Sequence, residues 1–268
     1  MKQKGFNKIR YYFKVWYSIT KQSLSKASTY KVEVIARALR GIFLVVTQII
    51  FINAVIGNNS TFVGWTREEL YLLAGVFNII NYISWSVFSI NLWRLEEKIL
   101  KGEFDFILLK PFTSIFGASF TEFFIDDAVS AISGFILVGY YVFNNLESIT
   151  LINSLMFVIA ILAAFVVWFS FELMFASFDF IKPKNGMREI KKQLVGIGKF
   201  PTEIWQGNVR YIFYTILPIA FVGAVPSKII IGDIGWDYVL IALLISLVTL
   251  MTARFIWNWA LKRYTSAG

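Results

Sequence analysis

The chain has 268 residues, 57% of them hydrophobic and only 16% charged, against about 25% charged in an ordinary soluble domain, so a water-soluble core is excluded as the place where that surface hides. It contains neither Cys nor His, which removes disulfides, thiolate chemistry, most zinc sites and every Ser-His or Cys-His nucleophile. The net charge of +9 comes from Lys and Arg beside apolar runs, a placement that anionic cytoplasmic lipids select; no nucleic-acid motif accompanies it, so the expected partner is membrane lipid, with no nucleic acid.

The first 30 residues hold Lys2, Lys4, Lys8, Arg10, Lys14, Lys21 and Lys26 without an uninterrupted apolar stretch, so no cleaved signal peptide is expected and the N-terminus is expected in the cytosol. Phe6, Ile9, Phe13 and Trp16 recur at helical spacing with lysines between them, which predicts an amphipathic helix in the membrane interface. A spanning helix needs about 20 mostly apolar residues. Six windows qualify: roughly 33–56, 68–92, 118–143, 151–178, 206–225 and 236–260. Into the first run Glu33, Arg37 and Arg40, spaced so that Glu33 and Arg37 can pair on one face. No polar, Pro/Gly/Ser-rich linker divides the chain, so residues 1–268 read as a single membrane domain.

Orientation follows from the positive charges. The segment through Arg40 holds ten Lys and Arg, 94–117 holds four and 179–200 holds six, whereas the opposite side has only Arg67 and Lys228. Positive loops resist translocation, so the fold class expected is an all-α integral membrane protein of six transmembrane helices with both ends in the cytoplasm. Between the second and third windows, Arg94 to Lys101 predicts a short surface helix with Glu97 and Lys101 at i,i+4 and Gly102 as C-cap. Met187, Ile190, Leu194 and Ile197 form an apolar seam beside Arg188, Lys191 and Lys192, which predicts another surface helix. The fifth window is interrupted by Pro218 and followed by Pro226, Gly232 and Gly235, so a kinked or shortened helix and a partly re-entrant outer segment are expected.

Ionisable residues inside apolar segments are costly and are functional candidates by default. Glu122, Asp126 and Asp127 in the third window and Glu172 in the fourth are of this kind. Two readings stand: ion sites or a polar patch of a translocation path, or carboxylates near the cytoplasmic headgroups satisfied by neighbouring lysines. Adjacent residues on a helix point about 100° apart, so Asp126-Asp127 is not a protease pair. Val138-Gly139-Tyr140 lies inside a hydrophobic window without the re-entrant loop of a potassium filter. No phosphate-cradling G-x-x-x-x-G-K-[ST] occurs, so no catalytic residue, metal site or cofactor is assigned to this chain, and any ATP and Mg belong to a partner.

Two stretches, Gly102-Glu103-Phe104-Asp105-Phe106-Ile107-Leu108-Leu109-Lys110-Pro111 and Phe200-Pro201 through Arg210 to Leu217-Pro218-Ile219-Ala220-Phe221 and Pro226, resemble the ABC-2 family of transporter permeases, in particular a bacterial group with six spans. The resemblance implies a type II exporter-like fold in the cytoplasmic membrane, with an N-terminal connecting helix over Phe6 to Trp16 and a coupling helix over Arg94 to Gly102. Arg94, Glu96, Glu97, Lys98, Lys101 and Gly102 would then form the element that docks on a cytosolic ATPase subunit. A second permease, different or identical, is implied as a further partner. The second span and Pro218 of the fifth would line the cavity; Asn78, Asn81, Tyr82 and Trp85 suit an amphipathic or aromatic solute, or else pack helix against helix. The function expected is export of a lipid or drug-like compound; the alternative is an ion-coupled secondary carrier using Asp126, Asp127 or Glu172. An intramembrane lipid-modifying enzyme would need grouped carboxylates that the chain does not show.

Overall fold

The computed structural model describes residues 2–29, 31–215 and 217–265; within them the side chains of 2–9, 26–29, 31–34 and 37–38 lie outside the description, and with them the expected Glu33–Arg37 pair and the Phe6 and Ile9 end of the first apolar stripe. Helix α1 (Lys2–Thr29) leads to α2 (Lys31–Ile56). A hairpin follows, β1 (Thr61–Phe62) against β2 (Trp65–Thr66), with Phe62 opposite Trp65. Its two-residue turn, Val63-Gly64, takes positive φ at both positions, the geometry that matches the twist of a tight hairpin. Thr66 then caps α3 (Arg67–Ser84): its side chain accepts from the Glu69 N–H while the Glu69 carboxylate accepts from the Thr66 N–H, so both ends of the capping box are closed. Helix α3 continues through a π turn, Trp85–Ser89, into α4 (Ile90–Trp93).

Three short helices follow at the far end: α5 (Leu95–Leu100), α6 (Glu103–Leu108) and α7 (Ser114–Ser119). The chain returns through α8 (Ile125–Ser130) and α9 (Ile132–Asn144), then α10 (Leu151–Ser177) with a 3-10 turn Phe178–Phe180. Next come α11 (Met187–Gly196), the 3-10 turns Ile197–Lys199 and Thr202–Ile204, α12 (Asn208–Thr215), the 3-10 turn Ile219–Phe221, α13 (Ala224–Ile231) and α14 (Trp236–Leu261).

The core forms around α3 and α10. Leu72, Val76 and Ile80 pack with Ala164, Val167, Trp168 and Phe171, and α10 lies parallel to α14 because Met156 and Ala160 meet Val239 and Ala242 while Leu173 and Ala176 meet Ala253 and Trp257. Alanine lets two backbones approach closely where lipid offers no hydrophobic driving force between helices. Where α3 meets α9, a Cβ built on Gly134 would stand 2.5 Å from the Gly75 carbonyl oxygen and 2.7 Å from the Ile79 nitrogen; only glycine fits. On the outside, Leu240, Leu244, Leu247, Met251 and Phe255 of α14 and Leu151, Leu155, Val158 and Leu162 of α10 stand exposed.

Among the described residues five helical stretches are long and apolar enough to cross a membrane: Leu39–Ile56, Arg67–Leu100, Ile125–Asn144, Leu151–Phe180 and Trp236–Leu261. They match five of the six expected windows. The third begins at Ile125 rather than 118, because residues 114–119 form α7 and 120–124 are not helical. Asp126 and Asp127 therefore occupy its first turn, at the end near α7.

The expected window 206–225 is not a continuous helix. It holds α12 and the 3-10 turn after Pro218, and its apolar residues Ala220 and Phe221 are buried against Ala160, Ala163 and Ala242 rather than presented to lipid. A different segment runs the length of α3. Arg188 lies over the Trp93 ring at 5.4 Å and Lys191 over Trp85 and Trp93 at 5.7 and 5.5 Å. A Cβ on Gly198 would touch Phe77, and Glu203 accepts from Trp65 Nε1–H at 2.8 Å. Residues 188–203 thus climb antiparallel to α3 from its α4 end to the hairpin. Helix α11 exists where the apolar seam predicts it, with Glu189, Ile190, Lys192 and Gln193 exposed, but the side turned inward carries a cation, since Lys191 is buried.

Candidate functional site

The end of the molecule built from α4 to α7 carries the residues singled out around Arg94 to Gly102. Alternation along α5 divides them. Leu95 and Ile99 are buried and join Phe104 and Ile107 of α6 in a cluster with Leu92, Leu173, Phe180 and Trp257. Tyr264 O–H donates to Asp105 at 2.9 Å and Trp257 Nε1–H to Ser114 at 3.0 Å, so the short helices are fastened to α14. Gly102 adopts φ +69°, the left-handed conformation that ends α5 and that residues with a Cβ rarely take.

Of the charged residues here, Arg94 pairs with Glu122 at 2.9 Å and Lys98 donates to Thr121 at 3.2 Å. Glu96 turns inward to Arg188, 2.9 Å away. Glu97 and Lys101 face out, paired with each other at 2.6 Å; hydrogen bonding from Lys101 holds the Glu97 end of this pair charged, and the Lys101 ammonium is pushed up from its ordinary pKa by the same bond. Beside them Phe106 and Leu109 are 68% and 82% exposed, although sequence reading stressed charge and passed over them. Asn91, buried, is a further missed residue: its side chain accepts from Thr121 Oγ1–H and the Glu122 N–H and donates to the Glu122 carbonyl, pinning the non-helical 120–124 stretch. Helix α1 docks on the same end, where the Thr113 N–H donates to Tyr12 and Trp16 meets the edge of Phe123.

Two of the carboxylates considered as ion sites, Glu172 and Asp127, are met by cations. Glu172 is bound by Lys191 at 2.6 Å, both groups buried, and also accepts from Trp168 Nε1–H at 3.3 Å. Arg40 approaches Asp127 at 3.9 Å. Arg188 spans Glu96 and the buried Asp179, 2.8 Å away, and Asn185 also donates to Asp179 at 3.1 Å. This three-membered link joins α5, the end of α10 and α11. A charge buried without its partner is expensive, so Arg188 and Lys191 of α11 are drawn inward by carboxylates waiting on other elements.

The residues proposed along a path lie outside the lining of the groove beside α2. Asn78 is buried and exchanges two amide hydrogen bonds with Gln48 of α2, at 2.9 and 3.2 Å. Asn81 and Tyr82 are half-buried on the next turn. Trp85 lies under Lys191 and against Trp93, and Pro218 is buried just before the 3-10 turn Ile219–Phe221. A groove of about 340 Å³ opens instead between α2, the start of α3 and the turn Lys199–Pro201, lined by Thr47, Gln48, Phe51, Val55, Phe62 and Phe200 among others. Asn78 reaches it only through Gln48. At the hairpin end Glu203 collects Lys228 at 2.7 Å, Arg210 at 3.2 Å and Trp65. Burial alone would raise the Glu203 pKa; the hydrogen bonds from Lys228 and Trp65 and the Lys228 charge outweigh it and hold the carboxyl below its ordinary value.

Residues 42–268 match the family model described as ABC-2 family transporter protein. No curated protein and no solved structure matches the chain.

Proposed function

This chain belongs to the ABC-2 transporter family, and from that premise we propose that it is the permease subunit of an exporter that moves a hydrophobic or amphipathic compound with ATP hydrolysed on a separate cytosolic subunit. It is a multi-pass membrane protein, the membrane component of an ABC-2 transporter. The α5–α6 end is the cytoplasmic end and docks the ATPase. The observation that carries this reading is a surface of Glu97, Lys101, Phe106 and Leu109, exposed in water-facing short helices whose other faces are buried against α10 and α14. An apolar pair on so rigid a base fits a partner's pocket.

Closure of two ATPase subunits would press on this surface in each of two permeases, identical or different. The displacement passes to α10 and α14 through the Phe104 cluster and to α11 through Glu96–Arg188–Asp179, and two permeases rock about a shared cavity as rigid bodies. In this reading Arg188 to Pro201 forms the fifth crossing, polar but paired, and residues 206–235 form a re-entrant outer element. Both chain ends remain cytoplasmic, since α1 and Tyr264 meet the same short helices. The ion-coupled alternative draws less support, because Glu172 is held by Lys191.

The test is a gentle detergent pull-down of the tagged full-length chain from its own cells, with mass spectrometry of stoichiometric partners and an ATPase assay on the eluate. A nucleotide-binding subunit is expected to co-purify, and the pair Phe106→Asp, Leu109→Asp is expected to lose it while the permease still inserts. A solitary wild-type protein without ATPase activity would sink the exporter reading in favour of the carrier.

A further inference from the structure

On the segment that climbs along α3, Lys192 and Lys199 are exposed without a carboxylate partner among the described residues, and Lys199 is the one that lines a groove. Arg188, Lys191, Arg210 and Lys228 each meet a carboxylate. Among the described residues no carboxylate pairs with Lys199, whose recorded partner is the ring of Phe200 at 5.1 Å. It is exposed, and what it is exposed to is the groove of about 340 Å³. Thr47 and Gln48, at one end of that groove, stand midway along the apolar stretch Leu39–Ile56, and Val55 and Phe62 stand at the other, near the hairpin. A cation beside apolar walls at that depth is costly unless an anion answers it.

We propose that this groove binds a single-chain anionic amphiphile, its acidic head on Lys199 Nζ and its tail along Phe51, Val55 and Phe62; the role of that ligand as cargo rests on the exporter reading. The volume lies at the low end of ligand pockets, which run from about 300 to 1,000 Å³, so one chain fits and two do not. Thr47 to Val55 covers about 12 Å of helix, a medium-length tail. Gln48 adds an amide whose orientation is fixed by Asn78 and which keeps hydrogen-bonding capacity beyond those two bonds. The walls reject a small hydrophilic anion, and the ammonium rejects a cationic amphiphile by like charge.

The test uses the full chain in phosphatidylcholine nanodiscs, without nucleotide or partner, and a medium-chain fatty acid bearing a photoactivatable tail. Adducts are expected on α2 and on the peptides holding Phe62 and Phe200. Unlabelled fatty acid should compete, while its methyl ester and the alkyltrimethylammonium of equal length should compete roughly tenfold less well. Lys199→Met should lose roughly tenfold and Lys199→Arg should regain it. Should Lys199→Met fail to insert, Val55→Trp, which fills the groove without touching the charge, must abolish labelling. Adducts elsewhere, equal competition by the ester, wild-type labelling of Lys199→Met, or no labelling because a second permease covers the groove would each overturn the proposal. The assay contains no ATPase, so a negative result leaves the co-purification result standing. A solitary protein that still binds the probe keeps the groove and discards the exporter.

Discussion

Lys191 and Glu172 illustrate how one buried pair decides where a segment lies. Each group is almost completely removed from solvent and the charged atoms are 2.6 Å apart, with Trp85, Trp93 and Trp168 closing around them. Removing one partner of such a pair leaves an uncompensated charge and costs about 3–5 kcal/mol, whereas replacing both by apolar groups of similar volume is often neutral. Lys191→Met is therefore expected to lower thermal stability in detergent by that amount, and Lys191→Met combined with Glu172→Met to recover most of it. Double-mutant melting curves check this; an additive double variant would mean that the two side chains do not act as a pair. The carboxylate was visible in the sequence as an oddity of the fourth apolar window. Its partner was not, because 19 positions separate Glu172 from Lys191 and nothing in the local pattern of α11 announces which of its cations turns inward.

At the scale of elements, the crossing of α3 and α9 depends on two glycines that face each other across bare backbone. A methyl at Gly134 meets the Gly75 carbonyl oxygen at 2.5 Å, whereas a methyl at Gly139, five residues along the same helix, meets nothing within 4 Å. Helix propensity favours alanine over glycine by up to about 1 kcal/mol, and overpacking costs about 1–3 kcal/mol. Gly139→Ala should consequently stabilise slightly and Gly134→Ala should destabilise, opposite signs for one chemical change in one helix. Comparing the two melting temperatures checks the assignment, and a stabilised Gly134→Ala would place α9 further from α3. Five apolar stretches were legible because about 20 lipid-compatible residues in a row have few alternatives, and Gly102 as the stop of α5 was legible because a left-handed residue is needed there. The outward pair Phe106 and Leu109 was not, since in a chain this apolar a Phe and a Leu carry no signal until their neighbours Phe104 and Ile107 are seen to be buried.

For the whole molecule, the fifth crossing is where sequence and structure part, and the reason is a mismatch between two kinds of cover. Residues 206–225 are apolar enough to look like a span, yet the cover for Ala220 and Phe221 comes from α10 and α14. Residues 188–201 are too charged to look like one, yet Arg188 and Lys191 find carboxylates, and what that pairing needs from the bilayer is only that it be excluded. The chain lends itself to a direct test because it contains no Cys, so each introduced thiol is the sole target. Lys182→Cys, Gln206→Cys and Asp233→Cys would be treated with a membrane-impermeant maleimide on intact cells and again after permeabilisation. If 188–201 cross, Gln206→Cys and Asp233→Cys label from outside and Lys182→Cys only after permeabilisation. If the 206–225 window crosses instead, Gln206→Cys joins Lys182→Cys among the protected positions, while Asp233→Cys still labels from outside and certifies the cells as intact. The second pattern would return Lys199 to the cytoplasmic side and would detach the groove from the outer half of the bilayer, so this one labelling series fixes the depth at which every charge on the segment has to be explained.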